Sequence, residues 1–237
     1  METIKNLTER YSRQTMLPGF GNEGQRRLLD ASVLVIGAGG LGAPVSTYLT
    51  GAGVGHIGIA DPDTVSLSNL QRQTLYSESQ VGEPKTACAI KRLSALSGVP
   101  RFTPHPEGIT PSNAIGLVSG YDLIIDCTDN FSTRYLIDEA CHECGKPWVH
   151  GALGEFHGQV TVFNYRKGRR YTELYPDKDA LCSLPRTITG VIGAVPGVIG
   201  SIQALEAIKI ITGIGEPLEG RLFTIEMLSM NTSIINF

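Results

Sequence analysis

The segment Val33-Leu34-Val35-Ile36-Gly37-Ala38-Gly39-Gly40-Leu41-Gly42 constrains this chain more than any other. An unbroken aliphatic run followed by clustered glycines reads as a buried strand turning tightly into a helix. Glycine there lets the backbone approach an anion at the helix N-terminus, where unpaired N–H groups and the helix dipole favour negative charge. A second apolar strand, Ile57 to Ala60, ends at Asp61, from which a carboxylate can accept hydrogen bonds from ribose hydroxyls. The glycine turn alone is equally a plain strand-to-helix connection. Strand, turn, helix and acidic strand end in this order point to a bound nucleotide.

These features do not separate a dinucleotide from ATP. The separation comes from the polar run Ser68-Asn69-Leu70-Gln71-Arg72-Gln73 and from Lys85, which a hydride-transfer enzyme has no evident use for. Asn69, Arg72 and Lys85 are suited to a chain of phosphates rather than a nicotinamide ring. Val81 to Leu96 reads as a helix with Pro84 in its first turn, which puts Lys85 near the positive end of the dipole. A cation gains nothing there unless an anion joins it. The alternative is an exposed lysine on a solvated surface.

The order of elements predicts an α/β fold: a Rossmann-like, mainly parallel sheet with an antiparallel C-terminal extension. A weak strand near Arg101 to His105, a short helix near Ser112 to Ser119 and a strong strand, Leu123 to Asp126, follow the helix that carries Lys85. Helix Phe131 to Cys144 and strand Trp148 to Gly151 come next. Ligands of such sheets bind across the C-terminal strand ends, so Asp129 falls on the active side. Val160 to Tyr165, Leu222 to Ile225 and Thr232 to Phe237 read as antiparallel strands, and Arg166 to Thr189 as an irregular polar crossover covering a site. One domain is expected over 1–237, with a helical arm (1–30), a nucleotide-binding part (31–152) and an extension (153–237).

With 41% hydrophobic residues and 18% charged residues in 237, the chain can bury a substantial core. A net charge of -3 and no dense Lys/Arg block leave no electrostatic footprint for nucleic acid or an anionic membrane. The apolar stretch Gly190 to Gly215 is interrupted by Gln203, Glu206 and Lys209, as expected of a largely buried helix with Glu206 and Lys209 on its polar side. Met1 to Gln14 shows no signal-peptide pattern, so a cytoplasmic location is expected. The cysteines, Cys88, Cys127, Cys141, Cys144 and Cys182, are scattered and suit reduced thiols. Cys141 and Cys144 form one Cys-x-x-Cys pair at a helix C-terminus, which disfavours thiolate, and core packing is the expectation.

Together these residues resemble the ThiF/MoeB/HesA adenylyltransferases, bacterial relatives of ubiquitin-activating enzymes. The resemblance runs from Arg10-Tyr11-Ser12-Arg13-Gln14 through Gly37 to Gly42, Asp61, Ser68 to Gln73 and Lys85. It continues through Asp126-Cys127-Thr128-Asp129-Asn130, Gly197 to Ser201 and Gln203 to Ala207. It implies ATP-dependent adenylylation of the C-terminal Gly-Gly carboxylate of a ubiquitin-like sulfur-carrier protein, with loss of pyrophosphate. By the same resemblance Gly37, Gly39, Gly40, Gly42, Ser68, Asn69 and Asn130 would line the nucleotide site and Asp61 would hold the ribose. Arg72 and Lys85 would meet the phosphates, and Asp129 would hold Mg²⁺. Arg13 would reach from the partner of a homodimer, where a frayed, solvated arginine is the plainer reading.

The chain also departs from the family. Many members bind structural zinc through two Cys-x-x-Cys pairs; here the first position reads Tyr171-Thr172-Glu173-Leu174 and the second is absent, so no structural zinc is expected. The family's crossover-loop cysteine aligns with Arg186, leaving Cys182 four residues upstream as either a reactive thiol, its pKa lowered by Arg186, or a packing residue. A sulfurtransferase is a further expected partner. The thiamine-pathway carrier is the first expectation and the molybdopterin-pathway carrier the alternative, with a nucleotide-binding oxidoreductase or a degenerate binding protein as other classes.

Overall fold

The computed structural model describes residues 7–185 and 190–237. A single helical turn, α1 (Ser12–Thr15), and helix α2 (Gly21–Asp30) precede β1 (Ser32–Ile36). There follow α3 (Gly42–Ala52), β2 (His56–Ala60), α4 (Lys85–Leu96), β3 (Arg101–His105), α5 (Ala114–Ser119) and β4 (Leu123–Asp126). Beyond these lie α6 (Phe131–Glu143), β5 (Trp148–Gly154), β6 (His157–Phe163), α7 (Tyr171–Leu174), α8 (Lys178–Ser183), α9 (Ala194–Thr212), β7 (Arg221–Glu226) and β8 (Asn231–Asn236).

All eight strands join in one sheet, ordered β3-β2-β1-β4-β5-β6-β7-β8. The strands from β3 to β5 are parallel, and β5 to β8 are antiparallel. The α/β reading with an antiparallel extension therefore holds. Strand β1 is unbroken in its hydrophobicity because both faces of the sheet are covered. Val33 and Val35 enter a core with Leu28 of α2, Leu49 of α3, Leu93 of α4 and Ile199 of α9. Leu34 and Ile36 enter the opposite core with Val118 of α5, Ile137 of α6 and Tyr171 of α7. Full burial of each such aliphatic side chain is worth roughly 1.5–3 kcal/mol.

Several boundaries differ from the sequence expectation. Helix α4 starts at Lys85 rather than Val81, because Gly82 has φ +93° and Pro84 is extended at the N-cap. Before it, Glu78–Gln80 is a short 3-10 turn closed by a Ser77/Gln80 capping box. Strand β5 runs to Gly154, since β6 pairs with it along its whole length. The crossover is not irregular: it holds α7 and α8, the latter capped by the Asp177 carboxylate on the Ala180 N–H at 3.1 Å.

Helix α9 is long and apolar enough to cross a membrane, yet it packs against α3 and the sheet. Glu206 is not on a polar face as the spacing suggested. It is buried, accepts the Leu218 N–H at 2.8 Å and pairs with Lys209. Cys141 is fully buried in the second core and Cys144 packs beside it, as the packing expectation required.

Candidate functional site

The glycine turn joins β1 to α3 at the C-terminal edge of the parallel strands, where β1 lies between β2 and β4. Gly37 has φ +97°, and a Cβ there would stand 2.6 Å from the Cys127 carbonyl oxygen. A Cβ on Gly42 would stand 2.0 Å from the Gly37 carbonyl oxygen. The turn therefore folds onto itself and onto the end of β4, a path only glycine permits. A Cβ on Gly40 would meet Pro196, in the first turn of α9, at 3.1 Å and the Arg72 Cδ at 3.6 Å. Two helix N-termini and the Arg72 side chain thus converge on the turn.

Asp61 is buried at the end of β2. Its Oδ2 accepts the Ala38 N–H of the turn at 2.7 Å, and its Oδ1 accepts the Asp63 N–H at 2.9 Å. Burial raises its pKa, against the Ala38 and Asp63 hydrogen bonds and the charge of Lys85, which hold it down. Lys85 is itself buried, with Nζ 2.9 Å from Asp63 and 3.9 Å from Asp61. The exposed-lysine alternative is thereby removed.

The polar run Ser68 to Gln73 wraps around a 3-10 turn, Leu67–Asn69, whose Asn69 carbonyl accepts the Arg72 and Gln73 N–H groups at 3.0 and 2.9 Å. Arg72 Nη1 donates to the Ser68 carbonyl at 3.0 Å. The buried Gln73 side chain faces Gly39, its Nε2 3.4 Å from where a Cβ would sit. The Tyr76 hydroxyl donates to the Ala38 carbonyl at 2.7 Å, and burial pushes its pKa up. Gln73 enters the sequence reading only as the end of the polar run, and Tyr76 and Asp63 lie outside it; the Asp-x-Asp spacing was the signal available for Asp63.

Asp129 is exposed two residues beyond Cys127, whose carbonyl abuts Gly37. Asn130 caps α6, its Oδ1 accepting the Thr133 N–H at 2.9 Å. Among the described residues no group of three or more His, Cys, Asp or Glu side chains could hold a metal ion. A single carboxylate suits Mg²⁺ only in the mode in which substrate phosphates complete the shell.

A second polar cluster lies behind this loop. Asp126 Oδ1 accepts both the Thr128 N–H at 2.9 Å and its hydroxyl at 2.6 Å. Arg134 Nη2 donates to the Thr128 carbonyl at 2.9 Å. Fully buried His150 donates from Nδ1 to Asp126 Oδ2 at 2.8 Å. Burial lowers the His150 pKa, against the hydrogen bond and charge of Asp126, which raise it. Burial opposes charge on Asp126 most strongly, but its His150 hydrogen bond, the Arg134 charge and Thr128 outweigh it, and the carboxyl lies below its usual value.

Two expected site residues lie away from the turn. Arg13 is exposed on α1, which is fastened to the far end of α3: the Tyr11 ring lies against Gly53, and Gln14 donates to the Ala52 carbonyl at 3.1 Å. Helix α3 alone spans about 16 Å at 1.5 Å per residue, so Arg13 and the turn of its own chain sit at opposite ends of it. Cys182 is half-buried on α8 and packs with Leu181 against the second core. Arg186, its expected cationic neighbour, lies outside the described residues.

The profile of the ThiF family matches residues 11–237. The chain is 45% identical over 234 residues to the sulfur carrier protein adenylyltransferase of Thermus thermophilus, covering 96% of this chain and 86% of that one. It is 43% identical over 231 residues to the adenylyltransferase and sulfurtransferase MOCS3-2 of Zea mays, covering 97% of this chain but 48% of that one. The chain thus spans about half the length of that maize relative. The crystal structure of E. coli MccB with ATP is similar in fold, with a TM-score of 0.81 and 23% identity over 96% of this chain and 70% of that one.

Proposed function

The chain belongs to the ThiF family and is an adenylyltransferase, and from that premise we propose that it activates the C-terminal Gly-Gly carboxylate of a ubiquitin-like sulfur-carrier protein with ATP. The observation that carries this reading is the convergence of Asp61, Lys85 and Arg72 on one glycine turn at the sheet's strand ends. The carrier carboxylate oxygen bonds to the α-phosphorus, the bond from that phosphorus to the oxygen bridging to the β-phosphorus breaks, and pyrophosphate leaves with the electron pair. Two anions must approach, so the site's task is charge neutralisation rather than acid or base catalysis. Arg72 and Lys85 supply fixed positive charge, the turn N–H groups bind phosphate oxygens, and Asp61 holds the ribose. Gly37, Gly39, Gly40 and Gly42 allow the close approach, with Ser68, Asn69 and Asn130 at its margin. Asp129 would hold Mg²⁺, which would supply charge compensation at the reacting phosphates.

The reading includes a homodimer in which Arg13 serves the neighbouring site. Its support is the separation of Arg13 from its own turn, together with a groove of about 590 Å³ between α3 and α9 lined by Pro44, Tyr48, Val198 and Ile202. Tyr48, Val198 and Leu205 are exposed along these helices. A cytoplasmic setting, a sulfurtransferase partner and a thiamine-pathway carrier complete the reading, with a molybdopterin-pathway carrier as the alternative.

Pyrophosphate exchange into ATP tests it. Exchange should appear only when a Gly-Gly-ended carrier is added, and offering both carrier types separates the pathways. Equal exchange without a carrier, or NADH binding in place of ATP, overturns the reading. Asp129→Ala should abolish exchange with the fold intact. Mixing Arg13→Ala with Asp129→Ala protein should restore part of the activity, and a dead mixture despite proven subunit exchange removes Arg13 from the shared site.

A further inference from the structure

The buried cluster behind the Asp129 loop does not stop at His150. Gln159 Nε2 lies 3.3 Å from His150 Nε2, the acceptor nitrogen of an imidazole whose Nδ1–H is engaged by Asp126. The same amide nitrogen donates to the Tyr175 hydroxyl. Tyr175 follows α7 in the crossover. Its carbonyl accepts the Tyr135 hydroxyl at 2.6 Å, and its ring meets Phe131, in the first turn of α6, at 6.0 Å between centroids. Neighbouring strands assemble the chain of contacts, because Asp126 pairs with His150 across β4 and β5, and Gln159 stands diagonally opposite His150 on β6.

At its other end the cluster grips a single residue. The N–H and hydroxyl of Thr128 go to Asp126 and its carbonyl goes to Arg134, so the backbone leading directly into Asp129 has its polar groups fixed from behind. Arg134 is buried and its guanidinium lies 5.6 Å from the Phe131 ring centroid. A shift of the crossover at Tyr175 would therefore disturb both α6's first turn and the Asp126 carboxylate. In a buried network every unpaired group costs the full desolvation penalty, so the members keep or lose their geometry together.

We propose that Asp126, Arg134 and His150 are positioning residues that tie the Asp129 loop to the crossover through Gln159 and Tyr175, so that nucleotide occupancy and seating of the crossover stabilise each other. The inference rests on the nucleotide reading above. Its consequence is that the crossover tightens when the nucleotide is in place. Linkage makes the effect reciprocal: whatever factor the nucleotide adds to the seating, the seating adds to nucleotide affinity.

The experiment is amide hydrogen exchange over residues 171–183 with and without saturating Mg-ATP, alongside calorimetric Mg-ATP titration. The proteins are wild type, Gln159→Leu and Tyr175→Phe. The Tyr175→Phe ring keeps its packing against Tyr171 and Phe131, which guards against a simple folding failure. Mg-ATP should slow exchange in wild type by about 10-fold, within the usual range of coupling between sites. In both variants the slowing should fall below about 3-fold, and Mg-ATP affinity should fall by a matching factor. Binding without slowing in wild type, or equal slowing in all three proteins, overturns the coupling alone. No Mg-ATP binding to wild type overturns the nucleotide reading and the coupling with it.

Discussion

Lys85 and Asp63 are joined twice: the Lys85 backbone N–H donates to the Asp63 carbonyl at 3.0 Å, and Nζ donates to the Asp63 carboxylate at 2.9 Å. The lysine side chain is 6% exposed and the aspartate 66%. The cation is thus held inside by a carboxylate that solvent largely screens, which a phosphate can replace at little cost. Asp63→Asn should lower stability by less than about 1 kcal/mol. Lys85→Ala also strips buried Asp61 of its neighbouring cation and should cost about 1–3 kcal/mol. Urea unfolding measures both, and ATP titration should show at least about 10-fold weaker binding for Lys85→Ala, the loss expected when a phosphate-binding charge is removed.

The turn predicts opposite outcomes for two glycine-to-alanine changes in one helix. Gly42→Ala drives a methyl into the Gly37 carbonyl and should destabilise by roughly 3 kcal/mol or more. Gly51→Ala meets nothing within 4 Å on the exposed side of α3 and should stabilise by roughly 0.5–1 kcal/mol. Thermal unfolding of the two variants checks the pair.

Stability should fall as pH drops from about 7 toward 5. His56, His105 and His150 all have folded pKa values pushed below the usual 6.5 by burial, so the unfolded chain takes up protons first. Their contribution is complete above the unfolded value and shrinks as pH falls below it, most of all for His150, the one of the three that is fully buried. Asp126, with its pKa lowered, acts in a separate window: its contribution is present above the ordinary carboxylate value and disappears in stronger acid. His150→Asn should be less stable at neutral pH yet show a shallower slope between pH 7 and 5, measured by urea unfolding at each pH.

Cys182 has the environment of a packing residue, half-buried beside Leu181 on α8. Adenylylation needs no thiol, so Cys182→Ser should retain carrier-dependent pyrophosphate exchange to within about 2-fold, the effect of less than 0.5 kcal/mol. A covalent carrier adduct in wild type that disappears in this variant, read by mass spectrometry, would give the thiol a role in sulfur transfer.

The central strands and the glycine turn were legible because they are local: Val33 to Ile36 must be buried, and Gly37 and Gly42 must bend. Asp61 and Lys85 were legible as charges at element ends, although their contact depends on the loop through Asp63. Helix α4 starts four residues later than the sequence pattern indicates, because the extended backbone of Pro84 caps the helix instead of entering it. The two crossover helices were missed because they are short and polar on their exposed sides. The Asp126–His150 pair was beyond the reach of periodicity, since 24 residues separate its members and only sheet register joins them.

The two margins of the sheet are chemically unequal. At one, β3 carries Pro104 opposite Ile59, and proline has no N–H to offer a newcomer. At the other, β8 pairs with β7 along its full length and presents Ile234 and Ile235, both more than half exposed. Of the two margins, β8 is therefore the one that offers a further strand a full set of backbone partners, which gives the sheet a direction of growth as well as a direction of twist.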